Sequence, residues 1–139
     1  MNVERIFLDA NILVYAHDRN EPAKRAVAAQ ILKACWASPV PPSLSVQVLQ
    51  EAHVTLLRKG VALNDSIETV TEFLQWNVIE NRTSLFREAL SLQKEFQLSF
   101  WDSSILAAAL ASGAEELWSE DFQPNRTYRE IVVKNPFLE

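Results

Sequence analysis

The chain has 139 residues, 48% of them hydrophobic, and a formal net charge of −5. The length fits one compact domain over residues 1–139, the apolar share excludes a disordered chain, and no apolar run approaches the ~20 residues of a membrane span. The lone cysteine, Cys35, excludes an intramolecular disulfide, and with no signal peptide in the sequence the expected location is the cytoplasm.

The first strand is read at Ile6-Phe7-Leu8, ending at Asp9, with a helical stretch after it. A longer helix begins at Pro22, a residue suited to a first helical turn, and carries Val27, Ile31, Ala34 and Cys35 on one face. The Pro39–Pro42 region breaks the pattern. A brief apolar segment around Leu44 follows, then a helix from about Ser45 to Lys59 with Val48, Leu49, Ala52 and Leu56 inward. Asp65 to Trp76 reads as a helix opened by a capping box of Asp65 and Glu68. Asn77–Ile79 is a candidate strand. Leu85, Ala89, Leu92 and Phe96 mark the next helix, and Asp102 to Ser112 another. Leu117–Ser119 and Ile131–Val133 complete the strands. The two glycines, Gly60 and Gly113, each close a helical stretch, where a left-handed cap belongs. Short apolar strands alternating with amphipathic helices indicate an α/β fold with a parallel sheet, and periodicity alone does not give the strand order.

Acids stand at the boundaries of these elements. Asp9 and Asp121 follow apolar strands, and ligands of open α/β sheets bind beyond the carboxyl ends of strands. Clustered carboxylates repel, and a hard divalent cation such as Mg²⁺ relieves the repulsion through oxygen ligands. Such an ion also answers the objection raised by the net charge, since it cancels two charges locally and can hold a phosphate. Each acid has a plainer explanation. Asp9 or Asp121 alone is as readily a turn residue, Asp102 alone an N-cap, and Glu51 a solvated helix position bordering the apolar stripe. The case for chemistry rests on the four together.

Other chemistries find less support. His17 sits where a cation suits a helix C-terminus, His53 points away from Glu51, and no histidine or cysteine pair has zinc-ligand spacing. There is no glycine-rich phosphate loop and no G-x-S-x-G. Trp36, Trp76 and Trp118 read as core, whereas Trp101, beside Asp102, stays open as a stacking platform.

With these residues in view, FLDANILVYA resembles the opening of PIN domains, with the first acid at Asp9 and its polar companion at Asn11. SVQVLQEAHVTLLRKG is similar to the family's second segment, with Glu51, and SFWDSSILAAALASG to its third, with Asp102. LWSEDF followed by IVVKNPF is similar to the closing segment of bacterial PIN proteins, VapC-type toxins included. The resemblance makes Asp121 the fourth acid and Ser119 a hydroxyl near the metal. Glu120 adjoins Asp121 and either could reach the ion, with the family spacing from Ser119 favouring Asp121. QPNRTYRE departs from the His-Gly turn that similar proteins often have after the fourth acid.

The resemblance implies a three-layer α/β/α fold whose parallel sheet has strand order 3-2-1-4-5. It implies Mg²⁺- or Mn²⁺-dependent hydrolysis of RNA phosphodiesters, leaving a 5′-phosphate and a 3′-hydroxyl, with Asp9, Asp102 and Asp121 at the metal and Glu51 completing the catalytic set. A small VapB-type antitoxin and a homodimer are the implied partners besides RNA. The apolar stretches around Trp36 and Leu74–Trp76 give the dimer a motive in the sequence, and no stretch reads as a built-in inhibitory tail. The alternatives are a free-standing RNA-processing nuclease, a catalytically inactive PIN fold acting as a binding module, a receiver-like signalling domain, and a haloacid dehalogenase-type phosphatase. The last would need an aspartate where Asn11 stands, and a receiver would need an acidic pair after the first strand.

Overall fold

The computed structural model describes residues 2–138. After a single 3-10 turn, Val3–Arg5, the elements run β1 (Ile6–Leu8), α1 (Ala10–Tyr15), α2 (Pro22–Ala37), β2 (Ser43–Ser45), α3 (Val46–Arg58), α4 (Leu63–Phe73), β3 (Asn77–Ile79), α5 (Thr83–Phe96), α6 (Phe100–Ala111), β4 (Glu116–Trp118), β5 (Thr127–Tyr128) and β6 (Ile131–Lys134). The sheet has the order β3-β2-β1-β4-β6-β5. β3, β2, β1, β4 and β6 are mutually parallel, and β5 is antiparallel to β6. The five parallel strands thus stand in the expected 3-2-1-4-5 order. The sixth, β5, is an addition: the chain beyond Asp121 turns back through Arg129 in left-handed backbone (φ 54°) and pairs Tyr128 with Ile131.

All three residues of β1 are buried. Successive strand residues face opposite sides of a sheet, so both faces of β1 are covered, as a parallel sheet between helices requires. The helices fall into two packing groups, α1 to α4 in one and α5 with α6 in the other. Ile6, Phe7, Leu8, Leu44, Leu117, Tyr128, Ile131 and Val133 are the sheet's buried share of one continuous core. No helix among the described residues is long and apolar enough to cross a membrane.

Most helices lie where their periodicity puts them. α3 buries Val48, Leu49, Ala52 and Leu56, and the Ser45 hydroxyl caps it by accepting the Val48 amide at 3.2 Å. Gly60 and Gly113 do take left-handed backbone, at φ 92° and 79°. Three details differ. On α2 the buried stripe is Ala28, Ile31, Leu32 and Cys35, with Val27 and Ala34 half-exposed. α4 starts at Leu63 with Ala62 as its uncapped boundary, so Asp65 and Glu68 form no capping box; Asp65 lies in the first turn, where its charge favours the helix dipole. α6 starts at Phe100, and its cap is Ser99, not Asp102. The apolar surplus around Trp36 is partly spent inside the chain: Trp36, Phe73 and Trp76 pack as one ring cluster, with centroids 4.6–5.8 Å apart.

Candidate functional site

β1 and β4 are neighbours and parallel, with Leu8 opposite Trp118, so the residues following both strands emerge at one end of the sheet. The Asp9 amide continues the ladder by donating to the Trp118 carbonyl at 3.0 Å. Asp9 then caps α1, its Oδ1 accepting the Ala10 amide at 2.7 Å. Its Oδ2 accepts the Ser119 hydroxyl at 2.7 Å. Ser119, wholly buried, in turn accepts the Asp121 amide at 3.0 Å and the Asn11 side-chain amide at 3.4 Å. Asn11 also donates to Asp121 Oδ2 at 3.2 Å and accepts the Glu120 amide at 3.4 Å. One hydroxyl and one amide therefore tie the ends of β1 and β4 together and orient two carboxylates.

Asp9 is only 3% exposed. Burial pushes its carboxyl up to about 7; the bonds from Ser119 and Ala10 work against that rise, and the negative charges of Asp121 and Glu51 add to it. No buried side-chain oxygen or nitrogen among the described residues lacks a hydrogen bond, so the difficulty at Asp9 is charge and not a lost hydrogen bond.

Glu51 reaches the site from α3. It accepts a hydrogen bond from Gln47, one turn earlier, at 2.9 Å, and Gln47 donates a second to the Trp101 carbonyl at 3.3 Å. This amide joins α3 to the start of α6, which brings in Asp102. Because Ser99 Oγ accepts the Asp102 amide at 3.1 Å, the Asp102 carboxylate is not used as a cap. Burial raises its pKa, the Ser99 bond opposes this, and the Asp121 charge adds to the rise. The four expected acids thus share one neighbourhood, Asp121 lying within electrostatic reach of both Asp9 and Asp102. A cleft of about 210 Å³, bordered by Asn11, Glu51, Thr55, Lys59 and Asp121, opens there.

Two expectations need adjustment. Asp9, Asp102 and Asp121 are not drawn into a closed cage: among the described residues no three His, Cys, Asp or Glu side chains stand at metal-ligating separation. Carboxylates without a cation between them repel, which favours this open arrangement. The choice between Glu120 and Asp121 is also clearer. Glu120 turns toward α1 and α2, where it accepts the Tyr15 hydroxyl at 2.5 Å and the Lys24 ammonium at 3.1 Å. Asp121 faces Asn11 and the other acids.

The sequence reading missed Tyr15, Lys24 and Ser99, whereas Gln47 was visible as the residue one turn before Glu51. Of the three only Ser99 left a signal, since Ser-Phe-Trp-Asp has capping-box spacing. Two other side chains are structural: His53 Nδ1 shares a 2.8 Å hydrogen bond with Ser66, and burial pushes the Cys35 thiol up to about 12, which leaves it inert.

The PIN domain family model matches residues 6–130. No curated protein matches the sequence. Among solved structures, a toxin–antitoxin complex from Klebsiella pneumoniae contains a chain with TM-score 0.69 and 21% identity, the match covering 94% of this chain and 97% of that one. VapC20 of Mycobacterium tuberculosis, described as a sarcin-ricin loop cleaving toxin, has TM-score 0.65 and 19% identity over 81% of this chain and 86% of its own.

Proposed function

The chain belongs to the PIN domain family, and from that premise we propose that it is a metal-dependent endoribonuclease, the toxin of a VapBC-type pair. The observation that carries the reading is Asp9: a buried carboxyl group, pinned on both oxygens, with the negative charges of Asp121 and Glu51 bearing on it. No ion pair among the described residues involves Asp9, Glu51, Asp102 or Asp121. Such a charge is costly until a cation neutralises it.

The donor set fits a hard cation, since every candidate ligand is a carboxylate, amide or hydroxyl oxygen. Asp9, Asp102 and Asp121 would hold Mg²⁺ or Mn²⁺, with Glu51 beside them. When bound, the ion supplies water activation and stabilises charge on the phosphoryl group. The chain's own residues prepare the site. Ser119 and the Ala10 amide fix the Asp9 carboxylate, Asn11 orients Asp121, and Gln47 holds Glu51 against the base of α6.

The toxin part of the reading is supported by the fold shared with a chain of a toxin–antitoxin complex and with a toxin described as cleaving the sarcin-ricin loop. A small antitoxin would inhibit by placing an arginine on Asp9 or Asp121, where bidentate pairing to a carboxylate is strong. The working form we propose is a cytoplasmic homodimer whose paired clefts make a longer groove for RNA.

The test is cleavage of a mixed RNA pool by the purified chain. Cleavage is expected with Mg²⁺ or Mn²⁺, to stop with EDTA, and to return when metal is restored. Chelator-resistant cleavage would overturn the mechanism. Expression in a heterologous host should arrest growth, and the adjacent small gene should rescue it; harmless high expression would leave a nuclease but not a toxin.

A further inference from the structure

A second cleft, of about 190 Å³, is lined by residues of β2, α3, α5 and α6 and of the segment just before α5. Its apolar wall is aromatic. Trp101 is 65% exposed and Phe86 54%, large fractions for residues of their size. The two flank Phe100, whose ring stands edge-on to Trp101 at 5.2 Å and to Phe86 at 5.8 Å. The lining also includes polar residues, Gln50, Asn81 and Arg82, all exposed. Arg82 forms no ion pair among the described residues.

This combination is not a plain apolar patch. Aromatic faces accept stacked bases, carboxamides match the donor and acceptor edges of a base, and an unpaired guanidinium suits a phosphate. The cleft is also joined to the acids. Gln47, which lines it, donates one hydrogen bond to Glu51 and another to the Trp101 carbonyl, and Asp102 directly follows Trp101. An RNA strand with a phosphate at the acids would carry a neighbouring base to this wall.

We propose that this cleft is a nucleobase site, in which an unpaired base flanking the scissile phosphate stacks on Trp101, its edge facing the amides of Gln50 and Asn81 and its backbone facing Arg82. The proposal rests on the ribonuclease reading for its substrate and adds the means by which RNA is gripped next to the acids. It requires single-stranded RNA at the site, because a base held in a duplex cannot be splayed onto a side chain without unpairing.

The test is binding, in Mg²⁺ and in an Asp9→Asn background so that the probe survives. Fluorescence anisotropy compares a labelled oligoadenylate with an abasic ribose-phosphate oligomer of the same length and charge. Trp101→Ala should weaken oligoadenylate binding by about 5- to 140-fold and leave the abasic oligomer unchanged. Trp101→Phe, which keeps a stacking face, should restore most of the loss. Equal weakening of both oligomers, no weakening of either, or no binding of oligoadenylate by the Asp9→Asn parent would overturn the proposal. So would a change from dimer to monomer on Trp101→Ala, read by light scattering, because the wall would then belong to a second copy of the chain. The two readings fail separately. Base-dependent binding without metal-dependent cleavage by the unaltered chain would sink the nuclease and keep the base site. Undiminished RNA cleavage and binding by Trp101→Ala would sink the base site and keep the nuclease.

Discussion

Asp9 and Asp18 stand on either side of α1 and are covered to nearly the same degree, 3% and 5% exposed. Their carboxylates live under opposite conditions. Asp18 accepts the Lys59 ammonium at 2.9 Å and the Asn20 amide at 3.0 Å, and these bonds, Lys59 first, hold its pKa below the usual range. Burial raises it by less than these bonds lower it. Asp9 lies deep, has neutral donors only, and has acids for neighbours. A carboxylate that the fold has already neutralised fastens α1 to the end of α3. One whose charge burial disfavours, with more negative charge beside it, is arranged for a cation from outside.

The largest expected difference between the two is in activity. Asp9→Asn keeps the shape and one acceptor oxygen but removes a charge from the proposed metal site, and RNA cleavage should fall by orders of magnitude, at least about 100-fold. Asp18→Asn should leave cleavage within a few-fold and lower the melting temperature instead, because Lys59 loses its partner. Cleavage rates and thermal melts of both variants, measured side by side, check this. A fully active Asp9→Asn, or an Asp18→Asn as dead as Asp9→Asn is expected to be, would erase the distinction.

The same pair should bend the stability curve in opposite directions. Below the ordinary carboxylate value of 3.8, folded and unfolded chains both keep the Asp9 proton. Between 3.8 and about 7 only the folded chain keeps it, so stability declines as pH rises through that window and the decline is complete above it. With each unit equivalent to about 1.4 kcal/mol, the full effect is on the order of 4 kcal/mol. For Asp18 the shift is downward, so its contribution is present above 3.8 and is lost as pH falls toward the folded value. Metal-free protein should therefore melt lower at pH 8 than at pH 5, Asp9→Asn should flatten that slope, and Mg²⁺ should raise the melting temperature at pH 8 in the unaltered chain only. A pH-independent melt, or equal stabilisation of Asp9→Asn by Mg²⁺, would contradict the account of Asp9.

How much of this could be read in the sequence depends on the range of the interaction. The parallel strands, the helix faces of α3 and α5, and the acids at Asp9 and Asp121 were legible because each is set by local periodicity or by position at a strand end. β5 was not, since two residues carry no period. Helix starts were ambiguous where polar residues compete. Ser99 and Asp102 are both good caps three positions apart, and reading Asp102 as the plainer explanation overlooked that Ser99 already supplies the cap. Asp65 and Glu68 have capping-box spacing, yet α4 begins at Leu63, soon after the left-handed turn at Gly60. The Lys24–Glu120 pair joins residues 96 positions apart and left no trace at all.

That pair gives the smallest and sharpest version of the contrast, now between neighbours. Glu120 resembles Asp18: its charge is met by Lys24 and by the Tyr15 hydroxyl, both within the chain. Asp121 resembles Asp9: its side chain meets the Asn11 amide, and its charge bears on Asp9 and Asp102. If internal neutralisation is what separates a fastening acid from a metal-facing one, Glu120→Gln should lower RNA cleavage by no more than about 3-fold, while Asp121→Asn should lower it by about 10-fold or more. The Glu120→Gln amide can still accept from Tyr15, so the loop after β4 keeps its anchor and the effect on folding should be slight. Raising Mg²⁺ should recover part of the Asp121→Asn loss, which reports weakened ion binding, and should not change Glu120→Gln. The reverse ranking would mean that Glu120 leaves Lys24 when the ion arrives and serves as the fourth acid, and a partner inside the fold would then no longer mark a carboxylate as structural.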